Sequence, residues 1–389
     1  MASIQNVVVI GGSYVGINVA QQLANRLKGR LRVLLVEKNS HFQHLFAFPR
    51  FAVTTKVETR KAFIPFVPGT FAICPSGSGL VIQAAATAIE KENLRLDRKV
   101  NLDGEQTDRI KFSYLVVATG TKLSAPSTLP GSEKADGVEY LVKHARKVEA
   151  ASSMAIIGGG AVGVQTATDI KELYPEKSVT LIHSRPTLMS RMNTQLDQLI
   201  KSRFEELGVA TKLGSRVKLP TEGYPTDGRG YDVELSDGSK VHTDFAIICI
   251  GQTPRSELVG SLSSEVLTGD GFIKVSKTLQ VADSAYPHIF ALGDVADTGA
   301  HKAARPAVKQ AEIVAQNIEH MIQGEALEEY DSSAPAGIHL TLGLIKSVVF
   351  RNPASESEEP YIWHRDDGRL DMGIQGVWDR RGGGIDANL

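Results

Sequence analysis

Two stretches of the sequence share one pattern, an apolar run that ends in a glycine-rich turn and continues into helix-forming residues. They are residues 7–16, VVVIGGSYVG, and residues 154–163, MAIIGGGAVG. Such a pattern is typical of a strand, a tight turn and the start of a helix whose amino terminus binds a pyrophosphate. Because both turns follow an apolar run, the sequence predicts two dinucleotide sites in one chain.

The first copy carries the signature of a tightly held dinucleotide. Gly11 and Gly16 stand at the first and third glycine positions, and Ser13 replaces the middle glycine. A serine there restricts the approach of the backbone to a phosphate but can donate a hydrogen bond of its own. Glu37 follows Gly16 by 21 residues, at the end of an apolar run. This spacing predicts a carboxylate that binds ribose hydroxyls, and the alternative is a solvated surface glutamate.

The second copy has all three glycines, Gly158, Gly160 and Gly163, but no acidic residue at the same offset. Ser184 lies 21 residues after Gly163, and Arg185 follows it. A carboxylate would repel a 2′-phosphate, whereas a hydroxyl beside an arginine would not. The sequence therefore predicts that NADPH can be used. The alternative is that Arg185 points to solvent and NADH binds through other contacts.

Composition excludes several other classes of protein. The chain of 389 residues is long enough for two or three domains. Its net charge of −1 and lack of a basic run argue against nucleic-acid partners. Cys74 and Cys249 are too far apart for a CxxC redox pair or a zinc site, so no metal is predicted. Without a secretory signal or an apolar run of roughly 18–20 residues, we expect no transmembrane segment and a cytoplasmic location.

Other strand ends and turns add detail. The apolar runs 114–117, 245–250 and 289–292 end in Ala118-Thr119-Gly120, in Gly251 and in Gly293-Asp294. Small residues at strand ends let a turn pass close to a cofactor, and a carboxylate there can hold a polyol hydroxyl. Residues 70–116 predict an antiparallel meander. Residues 39–68 predict a long loop-rich segment that either has a function of its own or covers a ligand. Residues 193–207 predict a helix capped by Asn193 or Thr194 and ended by Gly208.

In this order, the motifs resemble those of flavoproteins that bind two dinucleotides. The chain resembles the pyridine nucleotide-disulfide oxidoreductase superfamily over nearly its full length, and within it the apoptosis-inducing-factor-like group of the ferroptosis-suppressor type, especially its fungal members. The likeness rests on residues 174–184 (YPEKSVTLIHS), on the His44/Arg50 loop and on the run HKAA at 301–304. The resemblance implies an α/β fold with two Rossmann-like, doubly wound domains, the second inserted in the first, and a small α+β C-terminal domain.

The resemblance also implies domain limits and site residues. An FAD-binding domain would span residues 1–125 and 255–330, an NAD(P)H-binding domain 126–254, and a C-terminal dimer or acceptor-side domain 331–389. Arg50, Thr119 and Lys122 would lie along the flavin, Asp294 on the ribitol, and Ala86 at the adenine. The implied FAD contacts are Gly11, Gly12, Ser13, Tyr14, Val15, Gly16, Glu37, Lys38, Arg50, Ala86, Ala118, Thr119, Gly120, Lys122, Gly293, Asp294, Lys302 and Ala303. The implied NAD(P)H contacts are Gly158, Gly160, Ala161, Val162, Gly163, His183, Ser184, Arg185 and Gly251.

By the same resemblance, the reaction is hydride transfer from NAD(P)H to flavin N5, followed by two-electron transfer to a quinone-like acceptor. Lys302 would stabilise negative charge on the reduced flavin, or would be a solvated lysine. Gln165 stands where relatives commonly have a glutamate, and an amide can still bind a carboxamide. The run 353–360 is rich in Ser, Glu and Pro, and residues 351–389 match poorly, so the acceptor is the least transferable property.

Several alternatives stay open at this point. They are electron transfer to a protein carrier or to O₂, a redox-sensing protein whose NAD(P)H-bound state controls association, and a tailoring oxidoreductase of a biosynthetic pathway. The apolar segment 337–350 could contact a partner copy in a homodimer, touch a membrane surface peripherally, or pack into the core of the third domain.

Overall fold

The computed structural model describes residues 5–384 and 386–387, apart from the side chains at positions 264, 304 and 305. The ends of the predicted first and last domains, residues 1–4, 385 and 388–389, lie outside the described residues. The strands are β1 Asn6–Ile10, β2 Arg32–Glu37, β3 His41–Gln43, β4 Phe63–Pro65, β5 Gly79–Gln83, β6 Ala86–Glu90, β7 Asn93–Leu102, β8 Glu105–Lys111, β9 Tyr114–Val117, β10 Thr121–Leu123, β11 Ser153–Ile157, β12 Ser178–Ile182, β13 Ala210–Lys212, β14 Tyr231–Glu234, β15 Lys240–Thr243, β16 Phe245–Ile248, β17 Gln252–Pro254, β18 Ile273–Lys274, β19 Ile289–Ala291, β20 Ala296–Asp297, β21 Gly337–Thr341, β22 Ser347–Arg351 and β23 Tyr361–Arg365.

The helices connect these strands. They are α1 Tyr14–Leu27, α2 Phe48–Phe51, α3 Lys134–Ala150, α4 Ala161–Leu173, α5 Thr194–Leu207, α6 Glu257–Gly260, α7 Ala304–Gln323 and α8 Ile374–Arg380, with short 3₁₀ turns at Leu45–Ala47, Thr59–Ala62, Gly69–Phe71, Ser264–Val266 and Gly293–Val295. Helix α5 begins after Asn193, whose side chain accepts a hydrogen bond from the Gln195 amide, and it ends at Gly208 in the left-handed region. The predicted start and end of this helix are confirmed. Among the described residues, none of the helices is both long and apolar enough to cross a membrane.

The first domain is built on a parallel five-stranded sheet in the order β5-β2-β1-β9-β19. Helices α1 and α7 cover one face through Val7 and Val9, while the antiparallel strands β6, β7 and β8 cover the other through Val8 and Ile10. Burial on both faces explains why β1 is apolar throughout. The meander predicted over 70–116 is confirmed for 86–111, but Gly79–Gln83 instead joins the parallel sheet as its edge strand.

The second domain repeats this plan on a smaller scale. Its parallel sheet has the order β13-β12-β11-β16, and helices α4 and α5 pack against it. The chain enters and leaves this domain through one two-stranded ribbon, in which β10 pairs antiparallel with β17. The predicted domain limits at 125/126 and 254/255 fall beside this ribbon. The two Rossmann-like units of the predicted fold class are both present.

The C-terminal segment contacts both of these domains. Strands β21, β22 and β23 form an antiparallel sheet whose Leu340, Val348 and Phe350 pack into the core of the second domain. Helix α8 instead places Trp378, which is 1% exposed, in the core of the first domain. The apolar residues of 337–350 that face the second domain are therefore core residues.

Candidate functional site

The two glycine-rich turns have the same local geometry. In the first unit, the Gly11 amide donates to the carbonyl of Val36 at 2.9 Å; in the second, the Gly158 amide donates to the carbonyl of Ile182 at 2.8 Å. Each glycine has a positive φ, +107° at Gly11 and +127° at Gly158, which residues with a side chain rarely adopt. The repeated sequence pattern therefore corresponds to a repeated backbone conformation.

The third glycine of each turn brings helix and turn into contact. A Cβ atom at Gly16 would lie 1.7 Å from the carbonyl oxygen of Gly11, and one at Gly163 would lie 1.9 Å from that of Gly158. No side chain fits at either distance. The first amides of α1 and α4 therefore face the ends of the strands, where a helix amino terminus favours an anion. Gly160, Ala161 and Val162 lie at this terminus of α4.

A cavity of about 520 Å³ opens beside the first turn, within the size range of small-molecule sites. Nine of the predicted FAD contacts line it, from the glycine-rich turn, the end of β2, the meander, the end of β9 and strand β10. They are Gly11, Gly12, Ser13, Glu37, Lys38, Ala86, Ala118, Thr119 and Lys122. Tyr14, Val15, Gly16, Gly120, Gly293, Asp294, Lys302 and Ala303 are not among the residues lining this cavity.

Glu37 is fixed in this cavity by backbone and side-chain donors. One carboxylate oxygen accepts the Gly12 amide, and the other accepts the Asn39 amide at 2.8 Å and its side-chain Nδ2 at 2.7 Å. A carboxylate has about four acceptor positions, so it can still accept a ribose hydroxyl. A side chain at Gly12 would come within 2.9 Å of Glu37 and of the Phe66 ring. Asn39 was not predicted as a site residue, because its hydrogen bonds to Glu37 depend on the turn after β2.

Positive charge surrounds the rest of the cavity. Lys38, Lys122 and Arg255 all line it. Burial, together with the charges of Arg255 and Lys122, lowers the pKa of Lys38, while Glu37 opposes that shift. Three cations around one carboxylate suit a diphosphate. Arg255 was missed by the sequence analysis because it reaches the cavity only through the β10–β17 ribbon, where its amide donates to the carbonyl of Gly120 at 3.0 Å.

Asp294 approaches the same end of α1 from β19. The preceding Gly293 packs so closely on α1 that a Cβ there would lie 3.3 Å from the Val15 side chain. Burial raises the pKa of Asp294, and the neighbouring Lys302 and His301 lower it. The Lys302 amine donates to the carbonyl of Ala296 at 2.7 Å and lies 4.1 Å from the Phe272 ring centroid. Lys302 thus lies near Asp294, and its amine is already hydrogen-bonded to a backbone carbonyl.

Arg50 lies elsewhere than predicted. Its side chain is 1% exposed and forms a two-bond ion pair with Asp169 of α4, with N–O distances of 2.6 and 2.8 Å. The remaining donors bind the carbonyl oxygens of Gly343, Arg369 and Leu370. Because its hydrogen-bond donors are all used within the protein, the structure corrects the prediction that this guanidinium lies along a flavin.

Strand pairing in the second unit changes which residue corresponds to Glu37. In the first sheet, Ile10 pairs with Val36, and in the second, Ile157 pairs with Ile182. The counterpart of Glu37 is therefore His183, not Ser184, because the second unit is one residue shorter between its third glycine and the strand end. His183 Nδ1 accepts the Gly159 amide at 3.1 Å, as Glu37 accepts the Gly12 amide.

His183 differs from Glu37 in charge and in what it can offer a ligand. Burial and the nearby Arg185 lower the pKa of His183, so the ring is neutral at pH 7. With Nδ1 accepting a hydrogen bond, Nε2 carries the proton, and this atom is buried without a hydrogen-bond partner among the described residues. Ser184 and Arg185 are exposed, and the Arg185 guanidinium donates to Ser190 at 2.8 Å.

Gln165 lies one turn into α4, beyond Val162 and Gly163. Its side chain is half-buried, and its amide nitrogen lies 3.7 Å from the sulfur of Met372. Gly251 follows β16 as Gly120 follows β9, and both have a positive φ, +85° and +65°. The sequence-predicted residues of the second unit thus gather around the start of α4 and the ends of β12 and β16.

An aromatic cluster at the start of α1 was not predicted as a unit. The Tyr14 hydroxyl and His44 Nδ1 are 2.8 Å apart, and Phe42 packs edge-on against the Tyr14 ring. The Arg381 guanidinium lies 3.7 Å from the Phe42 ring centroid. Burial, and then the charges of Arg381 and Arg380, lower the pKa of His44 to about 4. His44 is therefore neutral at pH 7.

This neutral histidine predicts acid sensitivity. An unfolded histidine binds a proton near pH 6.5, whereas His44 in the folded protein binds one only near pH 4. Between these values the unfolded state holds more protons, so stability falls as the pH is lowered. This acid-induced loss in the free energy of unfolding should be on the order of 3 kcal/mol, and we expect it to be absent in His44→Gln. Chemical denaturation of both proteins between pH 7 and about 4 measures it.

The exposed His364 provides the control for that experiment. His364→Gln should keep the acid sensitivity of the wild type. Parallel loss of stability with pH in wild type and His44→Gln would contradict the assignment.

Comparison with known proteins identifies a matching family, similar sequences and a similar solved structure. The family model described as pyridine nucleotide-disulphide oxidoreductase matches residues 5–311. The chain is 36% identical to Fe-regulated protein 8 of Mycosarcoma maydis over 97% of this chain and 95% of that protein. It is 30% identical to human ferroptosis suppressor protein 1, over 85% and 84% of the two chains. The sulfide:quinone oxidoreductase of Aquifex aeolicus superposes with a TM-score of 0.75 at 20% identity, covering 98% of this chain and 92% of that one.

Proposed function

Because the chain belongs to the pyridine nucleotide-disulphide oxidoreductase family, as an apoptosis-inducing-factor-like member that uses FAD and NAD(P)H, we propose that it reduces a quinone-like acceptor. The observation that carries this proposal is the pair of nucleotide-binding turns in one chain, joined by the β10–β17 ribbon. One unit has a carboxylate at its strand end and the other has a neutral histidine. A tightly bound flavin and an exchangeable donor fit these two different units.

The first unit fits FAD. A cradle that a Cβ would fill lies at Gly11, where an added side chain would come 2.4 Å from the carbonyl oxygen of Ala118. Ser13 precedes α1 and its side chain makes no capping hydrogen bond there, so its hydroxyl can donate to a phosphate. Glu37 would hold the adenosine ribose, the Lys38, Lys122 and Arg255 charges the pyrophosphate, and Asp294 the ribitol.

The second unit fits NAD(P)H. The amino terminus of α4 would bind the pyrophosphate, His183 would lie at the ribose position, and Arg185 would bind a 2′-phosphate. Gln165, on the next turn of α4, would bind the nicotinamide carboxamide. FAD, when bound, supplies a two-electron acceptor for the nicotinamide hydride. The contribution of the protein is orientation: the two units set the relative position of donor and acceptor.

The acceptor is the open part of the reaction, and a quinone is supported by two likenesses. The resemblance to the ferroptosis-suppressor type favours a quinone, and the superposed Aquifex aeolicus enzyme is named for its quinone acceptor. Cys74 and Cys249 form no disulfide and are distant in sequence. The described residues therefore provide no pair of thiols that could relay electrons. Electrons from NAD(P)H would therefore reach the acceptor without passing through a protein disulfide.

The proposal is tested in two stages on the purified chain. Anaerobic addition of NADPH or NADH should bleach the flavin absorbance, and a short-chain quinone should then restore it. A colourless protein that does not take up FAD would overturn the whole proposal. Reduction by NAD(P)H without reoxidation by the quinone would overturn the acceptor alone. A soluble iron–sulfur protein and O₂ serve as comparison acceptors.

Arg185 should decide between the two nicotinamide cofactors. A hydrogen-bonded charge pair with a 2′-phosphate is worth about 1.5–3 kcal/mol. We therefore expect Arg185→Ala to lower kcat/KM for NADPH by about 10- to 100-fold and to leave that for NADH nearly unchanged. Steady-state kinetics with both cofactors measures this ratio.

Arg229→Ala is the matched control, since Arg229 is an exposed arginine of the same domain that pairs only locally, with Asp227. It should leave both values unchanged. An equal loss for NADH and NADPH in Arg185→Ala would show that Arg185 does not read the 2′-phosphate.

A further inference from the structure

A single buried guanidinium joins three parts of the chain. Arg50 belongs to α2 of the first domain, and its partner Asp169 to α4 of the second. Its other hydrogen bonds go to the carbonyl oxygens of Gly343, Arg369 and Leu370 in the C-terminal segment. Both charged side chains are almost fully buried, at 1% for Arg50 and 0% for Asp169. The pair is therefore a junction of all three parts, inaccessible to solvent.

The position of Asp169 on α4 links this junction to the donor site. Gln165, Asp169 and Glu172 are spaced four and three residues apart, so they lie on one face of the helix. Gln165 contacts Met372, and Glu172 accepts the Leu344 amide at 2.6 Å and pairs with Arg203. The same helix begins at the second glycine-rich turn. Any rotation of α4 about its axis would move both Gln165 and the turn.

The chemistry of the pair favours a role in orientation. A buried ion pair contributes little to stability compared with apolar residues of the same shape, because both charges lose their hydration. A two-bond arginine–carboxylate pair does fix distance and angle, since the guanidinium is planar and its donors point in set directions. A displacement of about 1 Å between reacting groups can lower a rate about 100-fold.

We propose that Arg50 and Asp169 form a positioning pair that holds α4, and with it the bound nicotinamide, at the distance and angle required for hydride transfer to the flavin. This inference rests on the proposed function. Neither Arg50 nor Asp169 lines the cavity beside the first turn. It acts through the orientation of α4, so its loss should lower the rate of flavin reduction and should not weaken the binding of NAD(P)H.

The test measures the reductive half-reaction after rapid mixing of the flavin-loaded protein with NADPH. In Arg50→Lys, which keeps the charge but loses the planar two-bond geometry, we expect the limiting reduction rate to fall about 10-fold or more. The apparent Kd for NADPH should stay within about threefold of the wild type, and the isotope effect with 4-deuterated NADPH should rise as hydride transfer becomes slower.

A double variant separates positioning from stability. Arg50→Met with Asp169→Leu removes both charges and leaves side chains of similar length. It also takes a donor from the carbonyl oxygens of Gly343, Arg369 and Leu370, so the melting temperature should fall, but by less than in Arg50→Met alone, which leaves Asp169 buried without a partner. We expect it to show the same loss of reduction rate. The control is Arg32→Met with Asp103→Asn, since Arg32 and Asp103 form another two-bond pair, more exposed and within the first domain, and Asn tolerates the positive φ of position 103. This control should reduce at the wild-type rate.

The outcomes separate this inference from the proposed function. Wild-type reduction rates in both Arg50→Lys and the double variant would overturn the positioning role, as would a change confined to the apparent Kd. Failure of the wild-type protein to bind FAD, or to be reduced by NADPH or NADH, would overturn the proposed function itself. Slow reduction with unchanged Kd and a retained fold supports the pair as a positioning device.

Discussion

The variant Gly16→Ala is expected to purify without flavin. Its new methyl group would lie 1.7 Å from the carbonyl oxygen of Gly11, and the atom it meets belongs to the backbone, which cannot rotate away. The first turn of α1 must then separate from the glycine-rich turn, and the amides that would bind the pyrophosphate lose their common direction. We expect FAD occupancy to fall by at least about 10-fold, since the loss of one charged hydrogen bond already has this effect. The ratio of flavin to protein absorbance, with FAD released by heating, measures it.

Two comparisons make this result specific. Gly269→Ala places a methyl group where no atom lies within 4 Å, and it should keep its FAD. Thermal unfolding in the presence of added FAD shows whether Gly16→Ala is folded. A folded Gly16→Ala protein that retains stoichiometric FAD would mean that the cavity beside this turn is not the flavin site.

The repeated turns could be predicted from the sequence because their chemistry is local. A strand, three glycine positions and a helix start lie within ten residues, and the steric reason for Gly16 and Gly163 lies within the same ten. Gly11 and Gly158 are crowded instead by the carbonyl oxygens of Ala118 and Cys249 on another strand end. Glu37 could be placed by spacing because the helix and the connection after it have ordinary lengths. These features depend on backbone geometry, which neighbouring residues determine.

The errors arose where the geometry depends on distant parts of the chain. Counting 21 residues selected Ser184, whereas strand pairing shows that His183 stands opposite the turn, because the second connection is one residue shorter. Arg50 was assigned to the flavin, yet its partner Asp169 is 119 positions away. Arg255 reaches the cavity through a ribbon whose strands are also far apart in sequence. Such contacts follow from how the domains pack, which a single sequence does not reveal.

The correction at His183 also changes the contrast between the two units. A buried carboxylate with three protein donors holds one end of the first site, and it adds a fixed negative charge beside the cations of the cavity. The second unit has a neutral imidazole with one donor left over, next to an exposed arginine. A neutral donor places no charge opposite a 2′-phosphate, and an exposed arginine can release its ligand. These different environments support the proposal that one nucleotide is retained and the other is exchanged.

The variant Gly163→Ala should therefore fail in a different way from Gly16→Ala. Its methyl group would lie 1.9 Å from the carbonyl oxygen of Gly158, so the second turn is distorted while the first is untouched. We expect a yellow protein with normal FAD content whose flavin is reduced by dithionite but, at NADPH concentrations that saturate the wild type, at least about 100-fold more slowly by NADPH.

The variants Gly16→Ala and Gly163→Ala serve as controls for each other. Loss of FAD in Gly16→Ala and loss of reduction in Gly163→Ala would separate an acceptor unit from a donor unit within one chain. If Gly163→Ala is reduced by NADPH at the wild-type rate, the second turn is not the donor site. The Arg50–Asp169 pair would then have no nicotinamide to position, so this result would also remove the basis for that inference.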